Sequence, residues 1–170
     1  MALRMCCCDG LVVVHGIDDT NDKRSIIMLW NPSTRESIVL PNPEIPPRGY
    51  HRMGLGYDST SGDCKILKIR TDKDGSKVPD EILTLKSDPW RNIDKHPRGI
   101  CSQVSGMDSA LTFVNDEFHW IGMFGNHVEV SRTYFVVSFN ISNEVYREIL
   151  LPEQILRLKG NNIIGVSELD

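Results

Sequence analysis

Leu29-Trp30-Asn31-Pro32-Ser33-Thr34-Arg35-Glu36-Ser37-Ile38-Val39-Leu40-Pro41 reads as two short apolar strands folded about a polar turn. Aliphatic and aromatic residues on either side suit a pleated surface. Between them Asn31 offers a side chain that binds turn amides, and Pro32 lacks the amide that a continuing strand needs. The unit returns as Leu83-Thr84-Leu85-Lys86-Ser87-Asp88-Pro89-Trp90-Arg91-Asn92-Ile93, and again over Ser138-Phe139-Asn140-Ile141-Ser142-Asn143-Glu144-Val145-Tyr146-Arg147-Glu148-Ile149-Leu150-Leu151-Pro152. Its turn residues Asn31, Ser87 and Asn140 stand 56 and then 53 residues apart. The chain is therefore an internal repeat with a period of about 50 residues.

Working outward, a second strand pair precedes each hairpin. The first repeat offers strands over Leu3 to Cys7, Leu11 to His15, Ile26 to Asn31 and Ser37 to Leu40. The second offers Met53 to Asp58, Cys64 to Arg70, Glu81 to Lys86 and Trp90 to Asp94; the third offers Ala110 to Val114, Phe118 to Met123, Tyr134 to Asn140 and Val145 to Leu150. The apolar runs are short and bounded by Gly, Pro, Asn, Asp and Ser, as strands require. Helical character is confined to Glu153 to Lys159, ahead of Gly160. Four strands per repeat predict an all-β chain, an incomplete β-propeller of about three four-stranded antiparallel blades plus the first strand of a fourth. One domain spans 1–170, with blades at approximately 1–41, 53–94 and 110–152 and the fourth beginning at approximately 163–170.

Loop lengths are unevenly distributed over the repeat. The turns between first and second and between third and fourth strands are short, while 16–25, 41–52, 71–80, 95–109 and 124–133 are long. Alternate connections of an antiparallel blade emerge at opposite ends, so the long ones share one face, which is the candidate binding face. Plain insertions remain the other reading, because loop-closure cost grows slowly with length. On that face Arg48, Tyr50, His51 and Arg52 supply the aromatic and cationic groups that protein interfaces favour, and they read equally as a solvated loop. Lys65, Lys68 and Arg70 read as solvated charge on a strand edge.

Composition excludes several function classes. With 170 residues, 40% hydrophobic and 25% charged, the chain suits one ordinary core. A net charge of -4 and a pI of about 5.7 argue against nucleic acid as a partner, since phosphate binding needs clustered Lys and Arg. Cys6, Cys7, Cys8, Cys64 and Cys101 form neither a disulfide framework nor a zinc pattern, and read as small strand hydrophobes in a reducing compartment. The apolar runs fall short of the roughly 18 residues of a membrane span, so no membrane is expected. Asp9 interrupts any signal-peptide core, and a cytoplasmic or nuclear location is expected. There the acceptor pattern Asn140-Ile141-Ser142 stays unmodified.

There is no Gly-x-Ser-x-Gly elbow, P-loop or His-Glu-x-x-His pair, and Gly54-x-Gly56 lacks the third glycine of a dinucleotide turn. His119 reads as a structural strand position. Asp18 to Asp22 lacks the glycine and distant glutamate of a calcium loop and reads as a solvated turn. Asp72-Lys73-Asp74-Gly75 reads as a hairpin tip. Trp30, Trp90 and Trp120 read as packing between blades. No catalytic, metal-binding or cofactor-binding residue is assigned, no cofactor is expected, and the module is expected not to be an enzyme.

Several segments together carry a resemblance. Cys8-Asp9-Gly10-Leu11-Val12, then Leu29 to Pro41, then Gly54-Leu55-Gly56-Tyr57-Asp58 with Cys64-Lys65-Ile66-Leu67, resemble in order the motifs of the plant F-box-associated, kelch-like domain. Leu85 to Ile93, Phe118-His119-Trp120-Ile121-Gly122 and Ser138 to Pro152 continue the series, so the likeness spans nearly the whole chain. Asp9 departs from it, standing where Asn is commoner. The resemblance implies the substrate-recognition part of a ubiquitin-ligase F-box protein, binding a protein substrate through the long-loop face. Family members usually carry an N-terminal F-box that docks on a Skp-type adaptor and a cullin. The chain reads as truncated and without that segment, so those two partners are expected only of a longer form. Alternatives are a stand-alone fragment that competes with full-length relatives, and a kelch-type metalloenzyme with convergent Tyr, His and Cys ligands. Too few blades for closure leave an open blade edge that invites self-association.

Overall fold

The computed structural model describes residues 2–17, 25–43, 50–71, 79–86, 89–93, 110–124 and 133–157. Within them the chain forms three four-stranded antiparallel sheets, each a meander in sequence order. The first contains β1 (Ala2–Cys8), β2 (Leu11–Ile17), β3 (Ser25–Asn31) and β4 (Glu36–Leu40). The second contains β5 (Tyr50–Asp58), β6 (Asp63–Thr71), β7 (Asp80–Thr84) and β8 (Arg91–Ile93). The third contains β9 (Thr112–Val114), β10 (Glu117–Phe124), β11 (Thr133–Asn140) and β12 (Tyr146–Leu150). A single-turn α1 (Glu153–Leu156) follows. The start of a fourth blade and the end of the expected helix lie outside the described residues.

One turn is built three times. Asn31 Oδ1 accepts from the amides of Ser33 (3.0 Å) and Thr34 (3.4 Å), and Asn140 Oδ1 from those of Ser142 (3.1 Å) and Asn143 (3.0 Å). Asp58 Oδ1 accepts from the Thr60 amide at 3.0 Å. Each turn closes four residues later with an amide returning to the first carbonyl: Arg35 to Asn31, Gly62 to Asp58 and Glu144 to Asn140, at 2.8, 2.8 and 2.9 Å. The closing residue is left-handed in all three, with φ of 62°, 65° and 58°. The short Asn or Asp side chain fixes the turn, which is why this unit was legible at 29–41 and 138–152.

Several strand boundaries differ from the sequence expectation: β5 begins at Tyr50, so Tyr50, His51 and Arg52 lie in a strand and not in the expected 41–52 loop, and two other shifts have a visible cause. β7 stops at Thr84 because Asp63 Oδ2 takes the Lys86 amide at 3.0 Å, drawing Leu85 and Lys86 into a turn. In the third sheet the Leu111 amide donates across to Met53 O at 2.9 Å, so β9 starts only at Thr112.

That bond also shows how the sheets stand together. The Cys6 thiol meets the Leu55 backbone and the Cys8 thiol that of Tyr57, so residue numbers rise together along β1 and β5. Likewise Gly54 lies against Leu111 and Phe118, and Gly56 against Phe113. A Cβ at Gly54 would stand 2.6 Å from the Phe118 ring, so glycine is what lets the third sheet close on β5. The first strands of the three sheets therefore run parallel, side by side, as the inner strands of propeller blades do. All the short turns then fall at one end of the molecule. The strand ends flanking 18–24, 41–49, 72–79, 94–111 and 125–132 all fall at the other.

The middle blade is buried on both faces. Met53, Leu55, Ile66, Leu83 and Trp90 pack toward Cys6, Val13, Ile27 and Leu40 of the first blade. Leu67, Ile69, Ile82 and Ile93 pack toward Phe118, Trp120, Phe135, Val137 and Phe139 of the third. This arrangement corrects the reading of Lys65, Lys68 and Arg70 as solvated: they are 7%, 1% and 7% exposed. An alternating strand has a wet face only when one side of its sheet is open. Trp30 also departs from expectation. Trp90 and Trp120 are buried between blades, but Trp30 lies on the outward face of the first blade and is exposed.

Candidate functional site

The seam between the first two blades opens at the long-connection end into a cleft of about 10 Å³. Arg4 from β1, His15 from β2, His51, Arg52 and Met53 from β5, and Ala110 line it. Period-two alternation places Arg4, His15 and His51 on the seam-facing sides of their strands, at the level where the apolar packing gives out. His51 Nε2 meets His15 Nδ1 at 3.0 Å, and His15 Nε2 meets Ser25 Oγ at 2.6 Å. Arg4 donates to the His51 carbonyl, tying β1 to β5. His51 Nδ1 is buried and makes no hydrogen bond.

Cations crowd the same level. Lys68 Nζ stands 3.6 Å and Arg70 Nε 3.4 Å from one oxygen of Glu81, all three buried. Arg70 also donates to Pro79 O at 3.0 Å. Burial, and then the neighbouring Lys68 and Arg4, lower the His15 pKa to about 4. Burial, then Arg4, His15, Lys68 and Arg70, lower that of His51 to about 2. Both rings are therefore neutral at physiological pH. Lys68 is lowered to about 8 by burial, with Glu81 opposing and Arg70 reinforcing. Burial and Arg4 also lower Arg52, which is half-buried at the cleft.

The turn end is built differently. Asp58 Oδ2 pairs with Lys65 Nζ at 2.7 Å, and Lys65 reaches over to Ile141 O of the third blade at 3.1 Å. Ser142 Oγ donates back to Asp58 Oδ1 at 2.5 Å. Burial works to raise the Asp58 carboxyl, but the bonds from Lys65, Ser142, Ser61 and the Thr60 amide outweigh it and hold the group well below the usual range. Arg91 pairs with both carboxylate oxygens of Glu144 across the same seam.

Of the four residues singled out in the sequence, Arg48 lies outside the described residues, as does the Tyr50 side chain. His51 is 7% exposed and packed against His15, while Arg52 reaches the cleft edge. The partners Arg4 and His15 escaped sequence reading, because no spacing motif links positions on strands of two different blades, and Lys68 reads in the sequence as solvated strand-edge charge. The acidic run at 18–22 and the hairpin tip at 72–75 lie outside the described residues. His119 stands half-buried in β10, its Nε2 3.8 Å from Glu117. Among the described residues, no helix is long and apolar enough to cross a membrane.

Parallel inner strands, both-face burial of the middle blade and long connections at one end define a β-propeller-type module. The family model for the F-box associated beta propeller domain matches residues 2–164, and the chain belongs to that family. It is similar to two proteins of Arabidopsis thaliana named as F-box proteins, at 26% identity over 85% of this chain and at 24% over 94%. The F-box protein CPR1 of the same plant is 31% identical over 47% of the chain and 23% of its own length. The chain spans about two fifths of the length of the first two relatives, 36% and 41%.

Proposed function

We propose that the chain is the substrate-recognition part of an F-box protein of an SCF-type ubiquitin ligase, holding a protein target at the long-connection end and performing no bond-making step itself. The observation that carries this reading is the parallel alignment of β1, β5 and β9. It gathers the boundaries of all the long connections at one end, around a cleft edged by Arg52. An arginine at the cleft edge favours a protein partner, because Arg is among the side chains that dominate binding energy at such interfaces. His51 is buried against His15, and Arg48, Tyr50 and Arg52 are the contact candidates. Adaptor and cullin join only through an F-box, and the working compartment is the cytoplasm or nucleus.

Affinity capture with this chain, and with a form carrying an upstream F-box, tests the reading. Targets captured by both, with Skp-type adaptor and cullin captured only by the longer form, are expected. Adaptor bound by this chain alone would contradict it.

A further inference from the structure

The cleft at the head of the first seam combines a cation without a counter-charge and a ring nitrogen without a bond. Arg52 lines it half-buried, and among the described residues its guanidinium has neither an ion pair nor a hydrogen bond. Arg4 lines the same cleft, near enough that its charge disfavours that of Arg52. Two like charges held together in a partly dry site are relieved when an anion joins them. Glu81 of the same seam is already shared between Lys68 and Arg70.

His51 lines the cleft as well, 7% exposed, with Nδ1 buried and unbonded. Its Nε2 meets His15 Nδ1, and His15 Nε2 meets Ser25 Oγ, so ring, ring and hydroxyl form a chain. The chain has two arrangements. In one, both rings carry the proton on Nε2, His51 donates to His15 and His15 to Ser25, and His51 Nδ1 is a bare acceptor. In the other, both rings carry it on Nδ1, Ser25 donates to His15 and His15 to His51, and His51 Nδ1–H is a donor. Each ring keeps one proton throughout, so the cleft gains a donor without adding charge beside its arginines.

A cleft of about 10 Å³ holds roughly one water-sized atom. One oxygen of a carboxylate fits that space, and the bulkier phosphate group does not. We infer that the cleft takes an acidic side chain of the bound protein, one carboxylate oxygen entering beside Arg4 and Arg52 to accept from His51 Nδ1–H. The target, on the recognition reading above, therefore presents Asp or Glu at the cleft. A net charge of -4 gives an acidic segment no general attraction to the chain, so this local group of cations has to supply it.

Fluorescence anisotropy of a labelled hexaglutamate peptide titrated with the chain tests the site. Saturable binding that weakens with added salt is expected. Arg52→Gln alters a side chain without a partner among the described residues, so circular dichroism should stay wild type while affinity falls about tenfold, as loss of one charged hydrogen bond implies. Arg91→Ala, at the turn end, should bind the peptide like wild type. Nitrogen NMR of histidine-labelled protein should show the His51 ring of the bound form with one proton, on Nδ1. Absence of binding, undiminished binding by Arg52→Gln, an equal loss in Arg91→Ala, or a bound form with Nδ1 bare would overturn the inference. So would displacement of the peptide by inorganic phosphate at a concentration where acetate has no effect, which would mark a phosphate site. No captured target enters these measurements, so their failure leaves the recognition reading to be judged by affinity capture.

Discussion

Lys65 and Lys68 lie three residues apart on one strand, both buried, and the two ends of the molecule treat them differently. At the turn end Lys65 has a carboxylate at 2.7 Å, a carbonyl at 3.1 Å, and a second blade supplying Ser142 to the same carboxylate. At the long-connection end Lys68 shares one glutamate oxygen with Arg70, at 3.6 Å, beside a histidine nitrogen that makes no hydrogen bond. The turn end is optimised as a clasp between blades. The other end keeps polar groups imperfectly answered, as happens where sequence serves something besides stability.

The comparison breaks hardest at Asp58. Asp58→Ala leaves Lys65 buried without its charge partner, and a loss of about 4 kcal/mol is expected in urea unfolding, since removing one member of a buried pair strands the other. If Asp58→Ala unfolds at the wild-type midpoint, the clasp is not what joins the second and third blades.

Acid separates the two ends next. His15 and His51 have folded pKa values lowered from 6.5 to about 4 and about 2, so below 6.5 the unfolded chain binds protons that the folded chain refuses. The His15 contribution to stability drains as pH falls from 6.5 toward 4, and the His51 contribution as pH falls from 6.5 toward 2, so the loss begins near 6.5. Asp58 is depressed below its ordinary 3.8, so its contribution persists above that value and is lost only beneath it. Two stages are expected in unfolding free energy against pH, the first reduced in His51→Gln and the second in Asp58→Asn. A single stage near 3.8 in the wild type would erase the distinction.

Much of this architecture was open to sequence reading because it is local. Asn31 and Asn140 announce their turns through side chains that bind amides two and three residues on, and loop lengths follow directly. The burial of Lys65, Lys68 and Arg70 was not legible, because Cys64 to Arg70 alternates as a half-wet strand would; only a blade on each side makes both faces dry. The histidine pair was equally hidden, since His15 and His51 meet across a seam between repeats. Trp30 carries the opposite lesson: its pattern promised packing between blades, and its outward face has no blade on it among the described residues.

Smaller effects sharpen the contrast. Lys68→Met leaves Glu81 with Arg70 and removes a cation whose pKa burial has lowered from 10.5 to about 8, so its cost should stay within about 1 kcal/mol. Wild-type stability should also gain from Lys68 as pH rises from about 8 toward 10.5, where only the unfolded chain holds that proton, and this gain should vanish in Lys68→Met. Smallest is Arg91→Ala. Its pair with Glu144 is half exposed, and a loss of about 0.5 kcal/mol in the same urea titration is expected.

Hydrogen exchange of the chain with and without a captured target protein tests most directly which end carries recognition. Added protection over peptides covering 41–53 and 125–133, with no change over 59–62 and 141–145, is the expected outcome. Protection confined to the 59–62 and 141–145 turns would contradict the assignment of recognition to the long-connection end.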